Sequence, residues 1–177
     1  MKGRKTWQRG YAAGLMDGEG CIQIKKVKHP NGSRNAEYSL QININMTDGG
    51  SIDFMYGTFG GWVYVSQQYG LGSLPVYRWE IRREKAKKFL KEILPFLKGK
   101  KEQAELGIRF QENRETQQRK NGRYQPSPQY LLDRYETFYL KMKELKKVHI
   151  PSAAVTTNQA TPQVEASDSL NLQEAKL

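Results

Sequence analysis

The chain is poor in the residues that most often build covalent or soft-metal centres. Its 177 residues include one cysteine, Cys21, and two histidines, His29 and His149. A lone cysteine excludes an intramolecular disulfide framework, and with so few partners the usual ligand set of a zinc site is missing. Any metal bound here would be held by oxygen. No apolar run approaches the roughly 20 residues of a membrane span, and the opening Met1-Lys2-Gly3-Arg4-Lys5-Thr6-Trp7 lacks a signal-peptide core. These absences predict a soluble protein of a reducing compartment, such as a bacterial or phage-infected cytoplasm or an organelle. Acid is scarce too: 18 Asp and Glu stand against 29 Lys and Arg, a formal charge of +11. Only Lys176 lies beyond residue 150, against Glu165, Asp168 and Glu174, so residues 1–150 hold 28 basic and 15 acidic side chains, or +13. A domain so basic is expected to bind a polyanion, most often nucleic acid.

What the sequence does contain is concentrated between Gly10 and Gly20, Gly-Tyr-Ala-Ala-Gly-Leu-Met-Asp-Gly-Glu-Gly. Gly10, Gly14 and Gly18 recur every fourth residue, which on an α-helix makes one stripe bare of side chains. Each interior glycine costs a helix about 1 kcal/mol relative to alanine, so the stripe calls for a compensating close contact. The partner is either a second copy of this helix or the chain's own later helices. Asp17 and Glu19 sit where the helix ends, just before the alternating strand Cys21-Ile22-Gln23-Ile24-Lys25. A carboxylate at such a corner could hold a divalent metal.

Further along, His29-Pro30-Asn31-Gly32-Ser33 has turn composition and joins this strand to a second. There Leu40, Ile42, Ile44 and Met46 alternate with Ser39, Gln41, Asn43 and Asn45. Amides on what is expected to be an exposed strand face can donate to and accept from base edges. Thr47-Asp48 reads as a cap for a short apolar helix through Ile52, Phe54, Met55 and Phe59, ended by Gly60-Gly61. Two more strands, 62–68 and 76–82, flank a glycine-rich loop. On the second, Tyr77, Trp79 and Ile81 share one face and Arg78, Glu80 and Arg82 the other. Helical periodicity follows from Arg83, with Phe89, Leu90, Ile93, Leu94 and Leu97 as its apolar stripe. Lys98-Gly99-Lys100-Lys101 interrupts it before helices at 102–114 and 130–147. A polar loop spans 117–128. Residues 1–150 thus read as one domain, and 151–177, rich in Ala, Thr, Ser, Gln and Asn, as a disordered tail without a catalytic role.

Ala12-Ala13-Gly14-Leu15-Met16-Asp17-Gly18-Glu19-Gly20 resembles the signature of the LAGLIDADG homing endonucleases, with Ala12 for its first leucine and Glu19 for its last aspartate. Met46-Thr47-Asp48 and the segment from Leu94 to Ala104 are similar to later parts of the single-motif members, in the same order. The resemblance covers about residues 8–148. It implies an α+β fold, α-β-β-α-β-β-α, with a four-stranded antiparallel DNA-binding sheet in each subunit of a homodimer.

The resemblance also implies roles for particular residues. Glu19 takes the place of the catalytic acid and, with the Gly18 carbonyl, of the metal ligands for Mg²⁺ or Mn²⁺. Lys100 takes the place of the active-site lysine, with Lys98 second to it. Asp17 is expected to be structural, capping or packing near the dimer interface, where Gly10, Ala13, Gly14 and Gly18 would also lie. Two copies would bring two Glu19 carboxylates together near a two-fold axis. Gln23, Lys25, Gln41, Asn43, Tyr64, Gln68, Arg78 and Arg82 are the expected readers of a long, pseudo-palindromic duplex target. Cleavage across the minor groove would leave 3′ overhangs, as expected of a nuclease from a mobile intron or intein-like element. Met46 falls where the family often has a glutamine, with Asn45 or Asn43 as candidate substitutes. That departure keeps a second function open on the same scaffold, an intron RNA maturase or a non-cleaving DNA-binding regulator.

Overall fold

The computed structural model describes residues 4–28, 36–66, 74–115 and 128–147. Helix α1 (Thr6–Gly18) leads into strands β1 (Gly20–Val27) and β2 (Glu37–Met46), followed by α2 (Gly49–Phe59). Strands β3 (Trp62–Ser66) and β4 (Val76–Arg82) precede α3 (Arg83–Ile93), a 3-10 turn at Leu94–Phe96, α4 (Lys101–Glu115) and α5 (Gln129–Glu144). The order α-β-β-α-β-β-α is the one expected, continued by two further helices. The expected polar loop 117–128 lies outside the described residues except for Pro128, as does the expected tail 151–177.

All strand pairs are antiparallel, and the sheet runs β1-β2-β4-β3. Alternation sorts its two faces. Ile22, Ile24, Leu40, Ile42, Ile44, Trp79 and Ile81 point to one side and are almost wholly buried with Met16, Met55, Phe89, Leu90 and Phe110. Trp79 satisfies its one polar atom by donating Nε1–H to the Gly60 carbonyl at 2.7 Å. Gly60 and Gly61, both at positive φ, make the reversal from α2 into β3 that a side chain would strain. Asp48 caps α2 as expected, its carboxylate accepting the backbone N–H of Gly50 and of Ser51, each at 3.1 Å. The Ser51 hydroxyl and these two N–H groups hold the Asp48 carboxyl below its ordinary range.

Helix α3 keeps its apolar stripe, with Ala86, Phe89, Leu90 and Ile93 buried. Pro95, without a backbone N–H, sits in the turn where the α-helix stops. Lys98 to Lys100 follow as a short loop before α4. Helix α5 lies against β1 and is tied to the sheet by Glu136, whose Oε2 accepts from Lys26 Nζ on β1 at 2.5 Å and from the Tyr38 hydroxyl on β2. Among the described residues, no helix is long and apolar enough to cross a membrane.

Candidate active site and nucleic-acid interface

The end of α1 is where sequence-distant groups meet. Asp17 turns its carboxylate to the loop after α3 and accepts the backbone N–H of Lys98 at 2.7 Å and of Lys100 at 2.9 Å. The carboxylate is therefore a clamp that holds the loop against the helix end. Through it the Lys100 ammonium reaches the Asp17 carbonyl, to which it donates, and lies 3.5 Å from the Gly18 carbonyl. These carbonyls are among the last of the helix, where backbone partners run out and the helix dipole favours a cation. Lys98 joins the clamp through its main chain, so of the two candidate lysines it is Lys100 whose ammonium meets the helix end.

Glu19 closes the helix, its N–H donating to the Leu15 carbonyl at 2.8 Å. Its side chain is exposed and has no hydrogen bond or ion pair among the described residues. Gly20 must follow it, because a Cβ there would lie 2.4 Å from the Met16 methyl and 2.7 Å from the Met16 Cα. Helix and strand thus close tightly around one outward carboxylate. A carboxylate and a backbone carbonyl are donors that suit Mg²⁺ or Mn²⁺. Among the described residues no three His, Cys, Asp or Glu side chains converge. One chain therefore offers a partial ligand set: Glu19 Oε and the Gly18 carbonyl would hold such an ion, with Lys100 as the neighbouring positive charge.

The glycine stripe is open. A Cβ added at Gly10, Gly14 or Gly18 would meet nothing within 4 Å, so the stripe does not pack on the chain's own described helices. Helix α1 instead contacts the core through Ala12, Ala13 and Met16. That corrects the expected interface set, since Ala13 is 1% exposed and turned inward. A residue next to a helical stripe is carried some 100° from it, here onto the core side. Trp7 and Tyr11, both exposed, border the stripe and pack their rings on Phe54, and the Tyr11 hydroxyl lies 2.6 Å from Ser51 Oγ.

The polar sheet face holds an open concavity of about 600 Å³ lined by Lys25, Gln41, Asn45, Tyr64, Ser66, Val76, Arg78, Glu80 and Arg82. Across it the strands pair Gln23 with Gln41 and Gln41 with Arg82, and Asn45 with Arg78 and Arg78 with Tyr64. Lys25, Tyr64 and Arg82 are exposed, and Gln23 and Arg78 half-buried. Two expected readers differ: Gln41 is 1% and Asn43 5% exposed. Both sit on β2, a central strand with a neighbour on each side, and alternation sets the face of a residue rather than its depth. Asn43 Oδ1 is engaged by Asn45 Nδ2 at 3.1 Å, and Gln41 Oε1 is buried without a partner among the described residues. Gln68 lies outside the described residues. Met46 packs half-buried against the core, opposite Tyr77, while Asn45 is the exposed amide at that end of β2.

One residue of this face was missed. Glu80 is 2% exposed, and its two carboxylate oxygens accept from Arg78 and Arg82 on either side. The pattern Arg-x-Glu-x-Arg on an alternating strand was the available signal.

Residues 12–113 match the profile of the LAGLIDADG endonuclease family. The chain belongs to that family. No curated protein matches it. Among solved structures, the homing endonuclease I-CvuI, in complex with the I-CreI target at 2 mM Mg with its DNA uncleaved, superposes with a TM-score of 0.64 at 14% identity, over 81% of this chain and 84% of that one. The archaeal intron-encoded homing endonuclease I-Vdi141I, complexed with DNA, gives 0.61 at 12% identity, over 83% and 89%. I-GzeII, in complex with its DNA target, gives 0.52 at 13% identity over 96% of this chain but 54% of its own. At these identities the likeness shows a shared fold, and the chain spans about half the length of I-GzeII.

Proposed function

We propose that this protein is a site-specific double-strand DNA endonuclease that works as a homodimer with a divalent cation, on a long pseudo-palindromic target, leaving 3′ overhangs. The observation that carries the reading is the junction at the end of α1. There the exposed Glu19 follows directly on the helix-end carbonyls of Asp17 and Gly18 that hold the Lys100 ammonium, in a loop that the Asp17 carboxylate ties down from 83 residues away. Phosphodiester hydrolysis needs a water positioned in line and positive charge on the phosphoryl oxygens. Glu19 and the Gly18 carbonyl would hold the ion, Mg²⁺ or Mn²⁺, which would supply Lewis acidity and a more acidic water. Lys100 serves as the base or as a positive charge at the scissile phosphate, its backbone N–H held by the Asp17 carboxylate and its ammonium by the Asp17 carbonyl.

One carboxylate per chain and an unfilled glycine stripe are reconciled by pairing. Two α1 helices crossing at Gly10, Gly14 and Gly18 bring two Glu19 residues to the axis, each serving one strand. The sheets then extend to both sides as two half-site readers. Residues 1–150 carry all of this, and 151–177 are dispensable for cleavage.

The test is digestion of a randomised duplex library with Mg²⁺ and sequencing of the ends, with Glu19→Gln and EDTA as controls. Discrete, near-symmetric sites cut only by the unmodified protein support the enzyme. No cutting, with selective retention of DNA or intron RNA, moves the assignment to the second reading, a non-cleaving regulator or maturase. Met46 favours that alternative, because a thioether packed on the core cannot order water as an amide does.

A further inference from the structure

We infer that Glu80 is a specificity-determining positioning residue, which holds Arg82 by its Nε–H so that its free Nη1/Nη2 end reads a guanine in each half-site. This rests on the DNA-binding reading above and adds to it a residue and a base.

Glu80 occupies the middle of the polar face, facing Asn43 on β2 and Trp62 on β3. Its carboxylate is buried, and a buried carboxylate needs charge-assisted partners. It has two. Arg78 Nη2 donates to Oε2 at 2.7 Å, and Arg82 Nε donates to Oε1. An acid is out of place on a surface meant for phosphate, yet it lines the concavity from β4, with β2 on one side and β3 on the other. Base edges are met at the centre and phosphates at the margins, so the acid's cost falls where phosphates are not.

The two arginines are held differently. Arg82 is engaged through Nε alone among the described residues, which leaves its two terminal nitrogens without a protein partner there. Their end-on fork matches the paired acceptors O6 and N7 of guanine. Arg78 spends one Nη2–H on the carboxylate, and its Nε is buried without a partner among the described residues. Arg78 is half-buried, whereas Arg82 is exposed. Guanine selection is therefore assigned to Arg82, the more accessible of the two.

The experiment is selection from randomised duplex DNA by the unmodified full chain, Glu80→Gln and Arg82→Ala, with sequencing of the bound fraction and titration of a random duplex. The unmodified protein selects guanine at one position per half-site, and Arg82→Ala loses it. Glu80→Gln loses about tenfold of the preference at that same position and keeps the others, since the guanidinium is present but no longer fixed. It also binds random duplex as tightly or more tightly, having lost a negative charge. Unchanged guanine preference, an equal flattening at all positions, or weaker random binding would overturn the proposal. If Glu80→Gln does not fold, Glu80→Asp keeps the charge but withdraws it from Arg82, and full retention of guanine by a folded Glu80→Asp overturns the idea equally. Should the unmodified protein select no duplex at all, the DNA reading falls and this inference with it. Selection unaffected by Glu80 removes the inference alone.

Discussion

Helix α1 and strand β4 present two surfaces made in opposite ways. The helix face is made by omission, three glycines at which an added Cβ would touch nothing among the described residues. The strand face is made by crowding, a buried glutamate between two arginines that are already paired before any ligand arrives. A surface made by omission is destabilising in the isolated chain and regains free energy only on association. A crowded, ion-paired surface is organised in the single chain and changes little when a partner binds. Self-association and base reading should therefore respond to mutation with different signs, and this difference can be tested.

The largest effect is expected at the end of α1, where it meets the loop after α3. Glu19→Gln should lower cleavage by roughly three orders of magnitude while leaving duplex binding intact, as measured by single-turnover digestion beside a gel-shift titration. Equal loss of both would make Glu19 a folding residue. Asp17→Ala releases the loop that carries Lys100, and misplacing a catalytic group by about an ångström can cost about 10²-fold in rate. The same change removes two hydrogen bonds to a carboxylate, so chemical denaturation should show a loss of about 2 kcal/mol. A variant that melts earlier yet cleaves normally would separate the clamp from catalysis.

The comparison is sharpened most by Gly14→Ala. Because a Cβ there meets nothing, the isolated chain should gain about 1 kcal/mol from helix propensity. Self-association should weaken, since the methyl groups hold the two backbones apart. Denaturation at low concentration and sedimentation at high concentration would read the opposite signs, and a stabilised, fully dimeric Gly14→Ala would exclude the stripe from the interface. Gly14→Leu should give the same monomer by brute size.

The smallest effect is one of pH and lies away from both surfaces. The hydrogen bond from Lys26, then that from Tyr38, holds the Glu136 carboxyl below its ordinary value near 4.5. A depressed folded pKa contributes stability that is present above the unfolded value and is lost as pH falls through the folded one. Melting temperature should therefore drop more steeply below about pH 4.5 in the unmodified protein than in Glu136→Gln, and parallel curves would show that the contact adds nothing.

Much of the architecture was legible because it is local. Alternation between Leu40 and Met46 needs only neighbouring residues to name the core face, and Asp48 three residues before Ser51 is enough for a cap. The nine-residue motif likewise located Glu19. Depth was less legible. Gln41 and Asn43 carry the right period for the polar face, yet their burial depends on β1 and β4 lying to either side, and no feature of β2 itself encodes it. Ala13 was misassigned for a related reason, because motif membership does not state which side of the helix meets the core.

From the sequence alone came the charge, the order of elements, the strand faces, the glycine stripe and the acids at the end of the first helix. These are set by composition and short periodicities, which act within a few residues. Only the folded chain decided that Asp17 would clamp a loop 81 and 83 residues distant, that the glycines would face away from the described body, and that Glu80 would be buried between its arginines. Hydrogen bonds and burial depend on spatial neighbours, and packing chooses those neighbours after the local preferences have been satisfied.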